Sequence, residues 1–269
     1  MNQTKKIKNK NSLLWVITGK NLLKPSYLLG TMHILCEKDF EIKDKITRKF
    51  NECDTLIMEL NLSDAVEMNE LQSFSQSDEP LSGQLNEQEK NELNHILQSD
   101  YQVSLEQVDH LSPVLIINMM VTKAIECEEQ KVIELELIKM AKENNMNMGG
   151  LETAAEQMEI ANKIYEPREI IRQLKQGDSY KEIFSEMVQA YKEEDLKKLS
   201  KLVSDRRFMS TEAEERMVYD RNKKWVKNMP ELMQEKSIFF AVGAGHLPGR
   251  VGVIQLLKRA GYTVAPVFE

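Results

Sequence analysis

The stretch whose reading decides the fold is Tyr27-Leu28-Leu29-Gly30-Thr31-Met32-His33, an apolar run that stops at a glycine, with a histidine three residues later. The same arrangement returns near the other end of the chain as Ser237-Ile238-Phe239-Phe240-Ala241-Val242-Gly243-Ala244-Gly245-His246. Both runs predict short buried strands, rich in large apolar side chains and closed by glycine. Open α/β sheets place their chemistry just past the carboxyl ends of their strands. Glycine tolerates φ > 0 and close backbone approach, so such a turn can aim an imidazole over the sheet edge. An imidazole there serves as a metal ligand or a general base. Two of only four histidines share this device. The plainer alternative is a pair of ordinary strand-end histidines.

Working outward, Leu13 to Ile17 predicts a first strand, and the turn Thr18-Gly19-Lys20-Asn21 joins it to Tyr27–Leu29 as an antiparallel hairpin. Ile34 to Cys53 predicts a helix, because Phe40, Ile42, Ile46 and Phe50 recur at near-helical spacing. Asp54 to Asn61 is the next strand, with Glu59 near its end between apolar neighbours. A carboxylate there is expensive to bury without a partner. It reads as a metal ligand or as the partner of a catalytic histidine, or else as a solvated strand end. Met146 to Thr153 predicts a weak strand ending in two glycines, with Glu152 just beyond. The competing reading of Glu152 is an acid favoured by the dipole of the helix Ala154–Ile164, in whose first turns Gln157 lies. Near the end of the chain, the Ser237–Val242 strand, a helix from Val251 to Lys258 and a strand from Tyr262 to Val267 make a strand–helix–strand unit that suits parallel pairing.

The middle of the chain reads as helical. Residues 62–84 predict a helix and then a loop, and Asn86 with Glu89 caps a helix running through Leu97. Pro113 opens the most apolar helix, and Cys127 to Asn145 predicts another. Tyr180 to Val203 predicts one amphipathic helix, and Thr211 to Met229 a further helix ended by Pro230. On this last helix Met217, Arg221, Trp225 and Met229 fall at i, i+4 steps and share a face. Arg221 therefore points with an apolar stripe, and its guanidinium needs an anion such as a carboxylate. His95 lies among polar residues and His110 in a connector without an obvious partner. The domain reading is a polar tail over 1–11 and a single domain over 12–269, with a helical middle over about 62–235.

Composition narrows the function classes. The 269 residues are 41% apolar and 29% charged, which suits a helix-rich globular protein with a substantial core. A net charge of −7 argues against wholesale nucleic-acid binding. No stretch approaches the ~20 apolar residues of a membrane span. The run Leu13–Ile17 is too short for a signal-peptide core, so the expected location is the cytoplasm, or the envelope or exterior if a leader has been removed. Cys36, Cys53 and Cys127 form no CxxC, so neither a disulfide framework nor a cysteine zinc site is expected, as suits a reducing compartment.

Five motifs occur in order: "SLLWVITGKNLLKPSYLLGTMH", the "MEL" around Glu59, "GLETAAEQ" over Gly150–Gln157, "RNKKW" over Arg221–Trp225 and "VGAGHLPG" over Val242–Gly249. Together they resemble the TraB/PrgY/GumN family, whose animal relatives are the Tiki proteins, over nearly the whole chain. The resemblance implies an α/β fold of the Tiki, erythromycin-esterase and ChaN type, with a mixed central sheet. It also implies a divalent-metal hydrolase, with Mn²⁺ or Co²⁺ favoured. The family's two G-x-x-H histidines correspond to His33 and His246, its strand glutamate to Glu59, its "LET…Q" to Glu152 and Gln157, and its "RN" pair to Arg221 and Asn222. Where relatives often show G-x-D, this chain has Ile133-Glu134-Leu135-Glu136.

Two imidazoles and a carboxylate suit a hydrolytic metal site that leaves positions open for water. His33, His246 and Glu59 are the expected ligands, with Glu152 as base or exchanging roles with Glu59. Arg221 and Asn222 are expected to bind a substrate carboxylate or the developing oxyanion, with Gln157 beside them. Histidine with carboxylate oxygens suits Mn²⁺, Co²⁺ or Zn²⁺. Expected partners are a peptide or small-molecule substrate, and a homodimer remains open. Two further readings stand beside this one: a metal-independent esterase-type hydrolase using His and Glu directly, and a non-catalytic module that sequesters a peptide.

Overall fold

In a computed structural model, residues 11–269 of the chain are described. The expected tail over 1–11 therefore lies almost wholly outside the described residues. The first elements are β1 (Leu14–Thr18), β2 (Ser26–Thr31), β3 (Ile34–Cys36), α1 (Asp44–Phe50) and β4 (Thr55–Met58). The middle comprises α2 (Ala65–Ser73), α3 (Glu87–Ile96), α4 (Leu105–Val108), α5 (Pro113–Ala124), β5 (Gln130–Val132), α6 (Ile133–Glu143), β6 (Asn147–Gly150), α7 (Ala154–Ile164), α8 (Pro167–Leu174), α9 (Gly177–Lys192) and α10 (Leu196–Val203). The chain then runs through α11 (Thr211–Glu214), a π-helical turn (Glu215–Asp220), α12 (Arg221–Leu232), β7 (Ile238–Gly243), α13 (Val253–Arg259) and β8 (Thr263–Pro266). This is the mixed α/β fold the sequence leads one to expect.

Six strands form one sheet in the order β6-β4-β7-β2-β1-β8. β6, β4, β7 and β2 are neighbours and mutually parallel, whereas β1 runs antiparallel to both β2 and β8. The hairpin of β1 and β2 is as expected. β7 and β8 do not pair directly: β2 and β1 lie between them, and β8 closes the sheet antiparallel to β1. Successive side chains of a strand face opposite sides. Tyr27, Leu29, Leu56, Met58, Phe239 and Ala241 enter one core with residues of α1, α6, α9 and α10. Leu28, Ile57, Phe240 and Val242 enter the other with Trp225 and Met229 of α12 and Val253 and Leu257 of α13. Burial on both faces explains why the strands read as continuous apolar runs. A third core, built from Leu81, Leu93, Ile116, Met120, Ile170 and Leu174, holds the helical middle together.

Five expectations need correction. Ile34–Cys53 is not one helix: β3 pairs antiparallel with β5, and only Asp44–Phe50 is α-helical. Cys127–Asn145 likewise begins as strand, and its helix starts at Ile133. The reason is a long-range clasp that local periodicity cannot report, since a disulfide joins Cys36 to Cys127 across 91 residues, contrary to the expected absence of disulfides. Cys53 is free. Tyr180–Val203 breaks at Glu194, whose φ is 55°, because its carboxylate turns inward to meet Lys43, Lys45 and the Leu13 amide. Finally, Pro230 does not end its helix, which continues to Leu232. Among the described residues no helix is long and apolar enough to cross a membrane.

Candidate active site

The four adjacent parallel strands deliver four polar side chains to one sheet edge. Glu152 follows β6, Glu59 follows β4, His246 follows β7 and His33 follows β2. Neighbouring strands are roughly 5 Å apart, so residues just past adjacent strand ends meet. His246 Nε2 lies 3.8 Å from Glu59 Oε1. The two site glycines act through space rather than through handedness, since neither has positive φ. A methyl on Gly243 would stand 3.3 Å from Glu59 Oε1, 3.5 Å from His246 Cδ2 and 3.7 Å from His33 Nε2. A methyl on Gly30 would press on Ala244 and Leu247 at 3.1 Å. Bare Cα atoms let the three groups converge.

Arg221 lies at the centre. A π-helical turn lies directly ahead of it, a feature frequent at functional sites, and Arg221 Nη1 donates to the Met217 carbonyl at 3.1 Å. Nη2 donates to Glu59 Oε2 at 2.5 Å and also to Glu152. Nε donates to the two Glu152 oxygens at 3.0 and 3.2 Å, and Nη1 lies 3.4 Å from His246 Nε2. The guanidinium stacks on Trp225, 4.8 Å from the ring centroid. Glu152, whose side chain is 1% exposed, also accepts from Gln157 Nε2 at 2.8 Å and from Trp225 Nε1 at 3.2 Å. Its oxygens are thus fully engaged in holding Arg221.

The histidines sit in contrasting surroundings. His246 is buried, tilted against Trp225, and its Nδ1 meets Asn222 Oδ1 at 2.8 Å. Asn222 Nδ2 donates to the carbonyls of His246 and Val251, which identifies Oδ1 as the acceptor. His246 Nδ1 therefore carries the proton and Nε2 presents its lone pair. Burial lowers the His246 pKa to about 4 in spite of Glu59, so the ring is neutral at pH 7. His33 has a side chain 60% exposed to the cleft, with Nδ1 2.7 Å from Glu134 Oε1. Its surroundings would lower the His33 pKa by desolvation, but Glu134, and more weakly Glu59, raise it to about 9. Burial would raise the pKa of Glu59, yet Arg221, the two imidazoles and the Gly243 amide, which donates at 2.6 Å, hold it well below the usual carboxylate range.

The structure brings His33, Glu59, Glu152, Gln157, Arg221, Asn222 and His246 together. Asn222 is fully buried behind His246 and does not line the cleft, whereas Gln157 does. His95 and His110 are exposed and lie outside it. Sequence reasoning missed Glu134, the buried acid at the start of α6 that also accepts from Thr31 Oγ1 at 3.2 Å. The available signal was an acid among the apolar residues Ile133, Leu135 and Leu137 at the start of a helix.

Metalloprotease TIKI1 of Xenopus tropicalis is 47% identical to this chain over 51 residues, which are 18% of this chain and 10% of that protein. Metalloprotease TIKI1 of Danio rerio is 43% identical over 51 residues, with the same shares. The matched stretch thus spans about a tenth of either relative. No solved structure matches the chain. The model of the TraB/PrgY/gumN family matches from residue 13 to residue 266, across both G-x-x-H turns and every strand of the sheet, and the chain belongs to that family.

Proposed function

We propose that the protein is a divalent-metal-dependent hydrolase acting on peptide bonds. The observation that carries this reading is the convergence of Glu152, Glu59, His246 and His33 past four adjacent parallel strands, around a cleft. The peptide bond is suggested by the likeness to the TIKI1 metalloproteases. The donor set fits a divalent ion by chemistry. Each imidazole has its Nδ1 tied to an oxygen, the arrangement that orients metal-binding histidines. Among the described residues, no three His, Cys, Asp or Glu side chains are already gathered as ligands. His33, His246 and Glu59 would hold the ion, with Mn²⁺, Co²⁺ and Zn²⁺ as candidates. The ion would supply Lewis acidity and an acidified water.

The chain's own residues have distinct parts in this proposal. Asn222 keeps His246 in the tautomer with a free Nε2. Glu134 orients the His33 ring through Nδ1 and favours its protonated form, which binding of the ion would have to displace. Glu152, Gln157 and Trp225 hold Arg221, and Arg221 fixes Glu59 and offsets its charge. Glu59 and His33, which line the cleft, serve the ion as ligands in this reading and would move a proton themselves only in the metal-free one. Glu152 is too fully hydrogen-bonded to move a proton without releasing Arg221.

A second reading, metal-free hydrolysis by His33 and Glu59, is favoured by the guanidinium already bridging both glutamates and reaching His246. The two readings separate in one experiment. Purified protein is incubated with a mixed peptide library, with Mn²⁺ or Co²⁺ and with chelator, and new termini are followed by mass spectrometry. Metal-dependent cleavage abolished by His33→Ala, Glu59→Ala and His246→Ala supports the proposal. Cleavage indifferent to chelation supports the second reading. Tight binding of intact peptide without cleavage points to a sequestering module.

A further inference from the structure

The cleft over the strand ends encloses about 290 Å³ and divides chemically into two parts. Its charged lining residues, His33, Glu59 and Arg221, all belong to the floor. The wall carries no charge and is mostly apolar: Val114 and Ile117 come from α5, Met158 and Ile160 from α7, Tyr165 from just beyond α7 and Met217 from the π-helical turn, with Asn118 and Gln157 as its uncharged polar members. Tyr165 does not add a free polar group there, because its hydroxyl is directed to the Met217 sulfur at 3.8 Å. Val114, Ile160 and Met217 are only half-buried, whereas Ile116 on the other side of α5 is packed into the third core. The wall thus keeps apolar surface turned to an open cleft beside a charged floor. Ligand sites have this composition, with predominantly apolar walls and a few convergent polar groups.

We propose that this wall is a side-chain subsite, selecting an uncharged, apolar residue of medium size, such as leucine or methionine, next to the bond laid over the floor. The placement of that bond rests on the hydrolase reading. The selectivity follows from the wall alone. A charged side chain entering it would lose its water and find no counter-ion. The cleft lies at the lower end of the ~300–1,000 Å³ typical of ligand sites, so it accommodates one peptide segment and one sizeable side chain rather than a folded loop. Helices α5 and α7 and the π-helical turn, all outside the sheet, therefore determine which peptide is taken. The strand ends determine what is done to it.

The test uses the full chain and fluorescently labelled peptides of equal length that differ at one position, Leu, Ala, Asp or Lys. Binding is read by anisotropy and cleavage by mass spectrometry. The Leu peptide is expected to bind at least about tenfold more tightly than the Asp and Lys peptides, as a hydrophobic site discriminates. Ile160→Asp is expected to reverse the order in favour of Lys. Ile160→Trp, which fills the cleft without introducing charge, is expected to abolish the Leu preference and serves if the Asp variant fails to fold. Equal binding of all four peptides, no binding of any, or an order unchanged in either folded variant overturns the subsite. Ordered binding without cleavage keeps the subsite and removes the hydrolase reading. Cleavage without side-chain preference does the reverse.

Discussion

Every nitrogen of Arg221 is committed: Nε to Glu152, Nη2 to both glutamates, and Nη1 to the Met217 carbonyl and the edge of His246. One planar fork therefore sets the positions of two carboxylates from different strands. An ammonium is a point charge and cannot hold both in register. Arg221→Lys is accordingly expected to keep the fold and to lower turnover by about 10–100-fold, the range for losing an orienting partner of a site residue. Steady-state kinetics with circular dichroism of the same sample checks this, and full activity in a folded Arg221→Lys would remove Arg221 from the site. The spacing of Met217, Arg221, Trp225 and Met229 was enough to place this residue inward and to demand an acid for it. Which acids, and how many, was not legible, because Glu59 and Glu152 are 162 and 69 residues away in the chain and meet it only through the sheet order.

At the scale of elements, the two largest departures from local periodicity are both sites of long-range attachment. The break between α9 and α10 turns Glu194 into the protein, where it binds Lys43 at 2.7 Å, Lys45 at 2.6 Å and the Leu13 amide at 3.0 Å. Burial would raise the Glu194 pKa, but the two lysines and the amide lower it below the ordinary carboxylate value. A carboxylate with a depressed folded-state pKa stabilises above its unfolded value and loses that contribution as pH falls through the folded one. Wild-type stability is therefore expected to fall below about pH 4–5, near the unfolded carboxylate pKa. Glu194→Gln should be about 3–5 kcal/mol less stable at pH 7, the usual consequence of orphaning a buried charge, here Lys45, and should show a shallower acid slope in denaturant melts. The second departure is the β3–β5 ribbon, pinned by the disulfide between Cys36 and Cys127. Cys36 lies three residues after His33, and Ile133, beside Glu134, donates its amide to the His33 carbonyl at 3.2 Å. Replacing both cysteines by serine is expected to reduce stability by about 2–5 kcal/mol and activity along with it. Unchanged activity in the double variant would show that the ribbon does not govern the His33–Glu134 pair.

At the scale of the whole molecule, the two G-x-x-H turns were legible because β2 and β7 announce themselves as apolar runs closed by glycine, whereas β4 lacks the glycine and β6 is a short strand with little apolar content. The cleft wall was not legible. Val114, Met158, Ile160 and Met217 lie on helices whose apolar residues mostly serve the cores, and sequence does not distinguish a side chain that faces a core from one that faces a cleft. The site draws on β2, β4, β6, β7, α6, α7 and α12, so its assembly is inseparable from folding of the sheet. That dependence makes the proposed ion measurable without any substrate. A ligand that binds only the folded state stabilises it by about 2.7 kcal/mol at a concentration one hundred times its dissociation constant. For a chain of this size each kcal/mol shifts the midpoint by about 2–4 °C, so saturating Mn²⁺, Co²⁺ or Zn²⁺ should raise it by about 5–10 °C. The unfolded chain retains Cys53 and four histidines that bind metal weakly, which reduces the shift but cannot create one. The shift should vanish in His246→Ala and in Glu59→Gln, and persist in His95→Ala, whose histidine is exposed and outside the cleft. A midpoint indifferent to all three ions would count against the metal reading and leave His33 and Glu59 to act alone. A shift surviving His246→Ala would place the ion elsewhere on the protein.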